Sequence, residues 1–253
     1  MIFRQLFEPV SSTYTYLIAC EQSGEAALID PVLETVERDL GVIRDLGLRL
    51  ACTLETHIHA DHVTGAGRLR SLAGSKAGFP EASGAELVDF TITEGTPVGI
   101  GELQLRPLYT PGHTDDHHVY LLEGDEAARI FTGDALLIEG CGRTDFQNGD
   151  AATLWASVNG KLFTLGDDCL VYPAHDYQER RVSSIGQEKR RNPRLGAGKT
   201  QAEFEQIMAG LNLPYPKFID WAVPGNRQCG VCPDDVPTQM QAYCGRMTES
   251  AQG

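Results

Sequence analysis

The first half of the chain contains several short apolar runs. It also contains a longer segment in which the apolar residues are spaced as in a helix. A polar turn at 22–25 separates two apolar runs, which predicts a pair of strands. In the next segment apolar residues recur every three or four positions up to Gly47, which predicts a helix that ends there. The predicted elements of this half are strands at 13–19, 26–29 and 48–54 and helices at 35–46 and 65–73.

The second half begins with a series of short apolar segments and ends with helical patterns. A capping box opens at Thr200, where Glu203 follows three residues later, and predicts the start of a helix that runs to Gly210. Strands followed by helices therefore occur twice along the chain, which predicts an α/β (α+β) fold with two sheets packed between helices. The other predicted elements are strands at 87–91, 103–109, 118–122, 128–131 and 169–172 and a helix at 151–163.

Composition narrows the classes of partner and the compartment. The 253 residues suit one large domain, and 35 acidic against 21 basic residues give a formal charge of −14. This charge opposes nucleic acid and anionic membranes, so we expect neither as a partner. The seven cysteines are odd in number and irregularly spaced, which favours a reducing compartment over a disulfide framework. With no targeting segment recognised, we expect a soluble, cytoplasmic protein.

Ligand-type side chains are concentrated in one short run. Residues 56–62 read Thr-His-Ile-His-Ala-Asp-His, so that His57, His59 and His62 lie around Asp61. Imidazole and carboxylate are the donors that borderline divalent metals take. Because crowding these groups costs desolvation unless a cation compensates for it, the run predicts a metal site.

Three further loops carry the same residue types at the ends of predicted strands. His113 follows strand 103–109, Asp134 follows strand 128–131, and His175 follows strand 169–172. Each loop alone is a weak signal, but the four loops together indicate one site built from strand ends. The donor types permit either one or two metal ions.

This order of motifs resembles the metallo-β-lactamase superfamily, and within it the ETHE1-like persulfide dioxygenases. The resemblance covers nearly the whole chain to about residue 226. It implies an αββα sandwich of two mixed sheets between helices, with a catalytic domain at 1–226 and a cysteine-containing tail at 227–253. The segments that carry the resemblance are 55–65, 140–147, 172–177, 192–195, 211–214 and 219–224.

The resemblance also implies an activity and roles for individual residues. The implied enzyme oxidises glutathione persulfide with O₂ and water to sulfite and glutathione, using one Fe(II) per chain held by His57, His113 and Asp134. His59, Asp61, His62 and His175 then surround the iron without binding it. A homodimer is expected from the resemblance alone, and a protein that carries the persulfide remains open as a donor. The positions matched to glutathione binding are Arg143, Asp145, Tyr177 and Arg194.

Several alternatives remain open at this point. Asp145 is equally suited to be a structural partner of Arg143, and a structural role is expected for His117 and His118. A thiolester hydrolase of the glyoxalase II type with two zinc ions is the first rival function. A metal-binding or sulfur-carrier module is the second rival, and it would use the tail cysteines, which we expect to be free thiols that the chemical step does not need: Cys229, Cys232 and Cys244.

Overall fold

Two six-stranded sheets form the centre of the protein in a computed structural model that describes residues 1–124 and 127–231. In the first sheet the strands are neighbours in chain order, and the pairs are antiparallel up to the third strand and parallel from there on. The strands are β1 (Ile2–Glu8), β2 (Thr13–Ala19), β3 (Glu25–Ile29), β4 (Arg49–Leu54), β5 (Lys76–Pro80) and β6 (Phe90–Ile92).

The second sheet is also mixed, with one parallel pair among antiparallel ones. Its six strands again follow chain order, so it has no crossover between distant strands. Parallel pairing of its fourth and fifth strands brings their carboxyl ends to the same edge. The strands are β7 (Val98–Ile100), β8 (Leu103–Tyr109), β9 (His118–Leu122), β10 (Arg129–Gly133), β11 (Leu170–Pro173) and β12 (Ser183–Ser184).

Strand β2 shows why the sheets form inner layers. Its side chains alternate with a period of two, so Tyr16 and Ile18 pack between the sheets, whereas Leu17 and Ala19 pack against helices. Both faces are buried, which explains a near-continuous apolar run instead of polar alternation. The helices are α1 (Val36–Asp45), α2 (Ala66–Ala73), α3 (Ala151–Ser157), α4 (Ile185–Arg191), α5 (Gln201–Ala209) and α6 (Ile219–Arg227).

Three clusters of buried apolar side chains separate the layers. One lies between the sheets and includes Tyr120 and Phe131, a second joins the first sheet to α1 and α2, and a third joins the second sheet to α3 and α5. The order of layers is therefore helix, sheet, sheet, helix, and the predicted αββα sandwich of two mixed sheets is confirmed. In the described part of the chain, no helix is long and apolar enough to cross a membrane.

Most predicted elements are found, but one strand is misplaced. The prediction of a strand at 87–91 is wrong, because β6 begins only at Phe90. Leu87 has a φ of 55° and is 56% exposed, and its carbonyl accepts a hydrogen bond from Arg70. The helix predicted at 151–163 is α3 followed by a single π-helical stretch, Val158–Leu162.

The boundary at residue 226 stays a prediction, because most of the predicted tail lies outside the described residues. Within the described part, Cys229 is buried and its carbonyl accepts a hydrogen bond from the Gly67 amide at 3.1 Å. Gly230 packs on the carbonyl of Thr64, which a Cβ at Gly230 would approach to 2.4 Å. Residues 229 and 230 therefore pack directly on the sandwich. Cys232 and Cys244 lie outside the described residues.

Candidate metal centre and substrate cleft

The predicted ligands meet where strands from both sheets end. His57 follows β4 in the first sheet, while His113 and Asp134 follow β8 and β10 in the second. β8 and β10 flank β9 and are both antiparallel to it, so they run in the same direction and end at the same edge. One ligand atom from each of the three residues lies within 4.8 Å of the other two. This group is referred to below as the three-ligand face.

Hydrogen bonds at Nδ1 leave both imidazoles with Nε2 available for a metal. The Nδ1–H of His113 donates to the carbonyl of Arg143 at 2.7 Å. The hydroxyl of Thr56 donates to Asp30 Oδ2 at 2.9 Å, so its oxygen can accept from His57 Nδ1 at 3.0 Å. Burial and the neighbouring imidazoles hold the pKa of His57 well below its usual range, which keeps this ring neutral. A neutral imidazole with a fixed Nδ1–H is the form that binds a metal through Nε2.

The carboxylate of Asp134 completes the face and shows that it fits a cation. Asp134 Oδ2 lies 3.4 Å from His113 Nε2. Asp134 Oδ1 is buried and has no hydrogen-bond partner among the described residues. A buried carboxylate oxygen left in this way is costly unless a cation compensates for it. Two imidazoles and one carboxylate are the donors of the facial triad, so the residues present fit a metal ion.

Two histidines that follow the His113 loop have structural roles. The backbone N–H of Asp134 donates to His117 Nε2 at 3.1 Å, and the Nδ1–H of His117 donates to Thr110 Oγ1 at 3.0 Å. Burial lowers the pKa of His117 well below its usual range, which is consistent with a neutral ring that accepts at Nε2. His118 Nδ1 donates to the carbonyl of Asp116 at 2.9 Å. The expectation of structural roles for both histidines agrees with these contacts.

His59 points away from the three-ligand face. Its Nε2 lies 3.1 Å from Asp30 Oδ1 and 3.5 Å from Glu55 Oε2, and all three side chains are buried. Burial opposes a charge on the ring, but the two carboxylates outweigh it and raise the pKa of His59 well above its usual range. A protonated imidazole has no lone pair for a metal, so this pairing disfavours metal binding by His59.

The other predicted neighbours form a second group beside Asp134. Asp61 Oδ2 lies 3.1 Å from His62 Nδ1 and 3.5 Å from His175 Nε2, and His175 Nε2 lies 3.6 Å from Asp134 Oδ1. Ligand atoms of His59, Asp61 and His62 also lie within 4.8 Å of one another. The geometry therefore permits a second ion, as the donor types do, but His59 would first have to lose its additional proton.

The glycine-rich segment 140–147 holds the metal ligands, a role that the sequence did not reveal. The amide of Gly142 donates to the carbonyl of Asp134 at 2.7 Å, and the carbonyl of Arg143 accepts the His113 proton. Gln147 Nε2 donates to the carbonyl of Ile58 at 2.7 Å. This segment therefore contacts all three loops that carry the ligands, mostly through its main chain. Main-chain contacts of this kind leave no signature in residue type.

A cleft of about 850 Å³ opens over the metal centre, and four basic side chains line it. Arg143 is largely committed to protein partners: its Nε and Nη2 donate to Asp145 at 2.6 and 2.7 Å, and its Nη1 donates to the Pro214 carbonyl at 2.8 Å. Asp145 lies outside the cleft lining and is thus placed as the ion-pair partner of Arg143. Arg180 is paired with Asp176 and Glu139. The other two basic residues are Arg194 and Lys217.

Arg194 and Lys217 have no carboxylate partner among the described residues. Arg194 Nη1 donates to the carbonyl of Cys141 at 2.8 Å. Lys217 Nζ lies 4.8 Å from the centre of the Phe218 ring. Lys217 was missed in the sequence, although its position between the two matching segments 211–214 and 219–224 was a usable signal. Tyr177 also lines the cleft, and its ring, 77% exposed, stacks on His175 at 6.3 Å.

Two of the buried cysteines, Cys141 and Cys229, are uncharged thiols. Burial raises the pKa of the Cys229 thiol to about 12 and that of Cys141 to about 11. Because the thiolate is the reactive form, both residues are poor nucleophiles at neutral pH. This argues against a sulfur-carrier role for Cys229, which was part of the second rival function.

Comparison with known proteins gives matches over most of the chain. The metallo-beta-lactamase superfamily matches residues 9–78 and 72–175. Human mitochondrial persulfide dioxygenase ETHE1 is 51% identical over 232 residues, covering 91% of this chain and 89% of the human protein. The crystal structure of ETHE1 from Myxococcus xanthus has a TM-score of 0.87 at 54% identity, covering 91% of this chain and 100% of that chain.

A hydrolase is also similar to this chain, at lower identity. Hydroxyacylglutathione hydrolase from Rhodospirillum rubrum is 34% identical over 212 residues, covering 83% of this chain and 79% of that protein. Both its identity and its coverage are below those of the persulfide dioxygenases. The chain therefore belongs to the metallo-β-lactamase superfamily and, within it, to the ETHE1 persulfide dioxygenase family.

Proposed function

We propose that the protein is an iron-dependent persulfide dioxygenase that converts glutathione persulfide, O₂ and water to glutathione and sulfite. The observation that carries this proposal is the three-ligand face of His57, His113 and Asp134 in the lining of a cleft, with one carboxylate oxygen that has no hydrogen-bond partner among the described residues. Membership of the persulfide dioxygenase family supports the choice of reaction. Fe(II) is the metal that a face of two imidazoles and one carboxylate suits in O₂ chemistry.

The metal, its ligands and the residues of the cleft have different roles in the proposed reaction. Bound iron would offer open coordination positions to substrate and O₂ and would mediate the transfer of electrons from the persulfide sulfur to O₂. His57, His113 and Asp134 hold the ion, and the hydrogen bonds to Thr56 and Arg143 fix the two rings. The remaining residues of the cleft bind and orient the substrate, which brings its terminal sulfur to the centre.

Glutathione carries carboxylates, and the cleft offers cations for them within a strongly acidic protein. Arg194 and Lys217 contribute positive charge without a carboxylate partner among the described residues. Arg143 keeps two of its five N–H groups beyond its three contacts with described residues, so it can still meet a substrate carboxylate. Tyr177 adds a phenol at the mouth. Apolar walls from Leu137, Ile138 and Leu213 limit the water around the reacting sulfur.

Protons released by the reaction can be held beside the centre. Formation of sulfite dianion and glutathione from the neutral persulfide, O₂ and water releases two protons. His175 Nε2 lies between Asp134 Oδ1 and Asp61 Oδ2, at 3.6 and 3.5 Å. Burial opposes a charge on this ring, but the two carboxylates outweigh it and raise the pKa of His175. In its neutral form His175 can take one of these protons at Nε2, and the two carboxylates stabilise the resulting cation.

Oxygen uptake tests the proposed function directly. Purified protein loaded with Fe(II) should consume O₂ when glutathione persulfide is added and form one sulfite per O₂ consumed. The same preparation should leave a glutathione thiolester intact. Hydrolysis of the thiolester without O₂ uptake on the persulfide would instead identify the protein as a hydrolase of the glyoxalase II type.

Removal of Arg194 should weaken substrate binding. We expect Arg194→Ala to raise KM for glutathione persulfide by roughly 10- to 150-fold, which corresponds to about 1.5–3 kcal/mol for a charged hydrogen bond. The value of kcat should change little, because the contact is equally strong in the ground and transition states. Arg190→Ala is the matched control, since Arg190 is exposed, pairs with Asp167 and lies outside the cleft lining. An Arg194→Ala enzyme with wild-type KM would exclude Arg194 from substrate binding.

A further inference from the structure

Both the oxygen and the nitrogen of the Asn226 carboxamide form hydrogen bonds with the loop that carries His57. It lies on α6 and is 1% exposed. Its Nδ2 donates to the carbonyls of His59 and His62, both at 2.9 Å. Its Oδ1 accepts from the amide of Thr64 at 2.8 Å. Three buried hydrogen bonds from one side chain therefore span the turn at 59–64.

This turn lies beyond the end of β4, and main-chain hydrogen bonds join its last residues to the segment 31–33: the Leu33 amide donates to the Val63 carbonyl at 2.9 Å, and Thr64 pairs with Val32 in an isolated bridge. Buried backbone groups need partners, and loss of Asn226 would leave two carbonyls and one amide without theirs. The start of the loop is held separately: the amide of Ile58 donates to Asp116 Oδ2 at 2.9 Å, and its carbonyl accepts from Gln147. Asn226 thus holds the main chain at residues 59, 62 and 64 through its side chain, in addition to the main-chain contacts between residues 63–65 and 31–33.

The end of α6 is itself anchored against the same region. The amide of Gly67, at the start of α2, donates to the carbonyl of Cys229, and Gly230 lies directly on the Thr64 carbonyl. The chain at 225–230 cannot move away from the metal loop without breaking these contacts. Asn226 is therefore held rigidly enough to impose its geometry on the loop.

We propose that Asn226 is a positioning residue that fixes the turn at 59–64 and thereby sets the metal affinity of the three-ligand face. The turn carries His59, Asp61 and His62 and begins two residues after His57. If it shifts, the main chain that positions His57 shifts with it, and the three neighbouring groups lose their fixed positions. The Asn226 side chain contacts main-chain atoms of the loop and not the ligand atoms. Its effect on the metal is therefore indirect, through the position of His57. The inference rests on the proposed metal centre but not on the proposed reaction.

The test compares Asn226→Asp and Asn226→Leu with the wild-type protein. Both variants have a side chain of approximately the size of asparagine. Asn226→Asp retains only the acceptor for the Thr64 amide, and Asn226→Leu retains none of the three hydrogen bonds. We expect the affinity for Co(II) or Fe(II), measured by competition with a chelator, to fall at least tenfold in Asn226→Leu. The affinity should fall by a smaller factor in Asn226→Asp. The visible spectrum of the Co(II) protein should change, because it reports the geometry of the ligands.

A buried polar residue outside the metal loops and the cleft lining provides the control for general destabilisation. Asp39 is fully buried in α1 and accepts hydrogen bonds from Thr35 and Arg38. Asp39→Ala should lower the melting temperature of the metal-free protein while leaving the Co(II) spectrum and the metal-induced rise in melting temperature intact.

Two results would overturn the proposal. The first is Asn226→Leu protein that melts at a lower temperature yet binds Co(II) with wild-type affinity and spectrum, which would make Asn226 a purely structural residue. The second applies if the variants do not fold: the Thr64 amide of the wild-type protein should exchange its hydrogen slowly, and fast exchange in the metal-loaded protein would show that Asn226 does not hold the turn. Absence of O₂ uptake would count against the proposed reaction alone.

Discussion

Asp134→Ala is expected to leave the protein without iron and without persulfide oxidation. Asp134 is the sole carboxylate of the three-ligand face, and its Oδ1 is already without a hydrogen-bond partner among the described residues. Partners of metal ligands typically contribute 10- to 100-fold in affinity, so loss of a ligand should cost more than about 100-fold. His57→Ala should have the same effect. Elemental analysis and O₂ uptake on the same preparations measure both losses.

His62→Ala is the matched control for these two variants. His62 lies in the same loop as His57, but its Nδ1 contacts Asp61, and it is outside the three-ligand face. Most of the iron should therefore remain in this variant. If His62→Ala loses metal as completely as His57→Ala, the centre is not the single-ion site proposed above.

Gly142→Ala is expected to displace two metal ligands with one methyl group. A Cβ at Gly142 would lie 2.6 Å from His113 Nδ1 and 2.7 Å from the Asp134 carbonyl, and side chains do not tolerate contacts this short. The added methyl group would also disturb the hydrogen bond from His113 Nδ1 to the Arg143 carbonyl, which orients the His113 ring. We expect at least a 10- to 100-fold loss in iron affinity, the range for a disturbed partner of a ligand. Chelator competition and iron content measure it.

Gly140→Ala is the control within the same segment. A Cβ at Gly140 would meet only Leu137 Cβ at 3.8 Å, an ordinary van der Waals contact. This variant should therefore keep iron and turnover close to wild-type values. Equal behaviour of the two variants would contradict the role given to Gly142, whether both lose iron or both retain it.

The metal loops could be predicted from the sequence because their chemistry and their position in the fold agree. His57, His113, Asp134 and His175 each follow an apolar run, and strands that run in the same direction bring such positions to one edge. Strand β2 could also be predicted from the sequence, since both of its faces are buried and its residues are nearly all apolar or aromatic. In each case both the local sequence pattern and the buried environment require an apolar strand, so the pattern alone predicts it.

The parts that could not be predicted depend on main-chain geometry or on distant contacts. The carbonyl of Arg143 orients His113, and any residue type supplies a carbonyl. Asn226 holds a loop more than 160 residues earlier in the chain, a distance that no local pattern reveals. β5 carries Gly78 and Pro80 in a five-residue strand, which weakens its strand pattern. Leu87 looked like a strand residue, but its backbone carbonyl is held by Arg70 in a turn.

The residues predicted to bind substrate correspond only in part to the cleft lining. Arg143, Tyr177 and Arg194 line the cleft, whereas Asp145 forms an ion pair with Arg143 outside the lining. The pKa of Asp145 lies below its usual range because of the hydrogen bonds from Arg143, so the pair stays charged at neutral pH. Sequence could place these residues near one another but could not distinguish a substrate contact from an internal ion pair.

Metal content per chain tests the central claim most directly. Protein produced without bias toward any one metal should be analysed for all first-row transition metals, and its O₂ uptake on glutathione persulfide should be measured on the same fractions. We expect one iron per chain and turnover proportional to the iron content. Two zinc ions per chain, with turnover on a glutathione thiolester and none on the persulfide, would contradict this expectation.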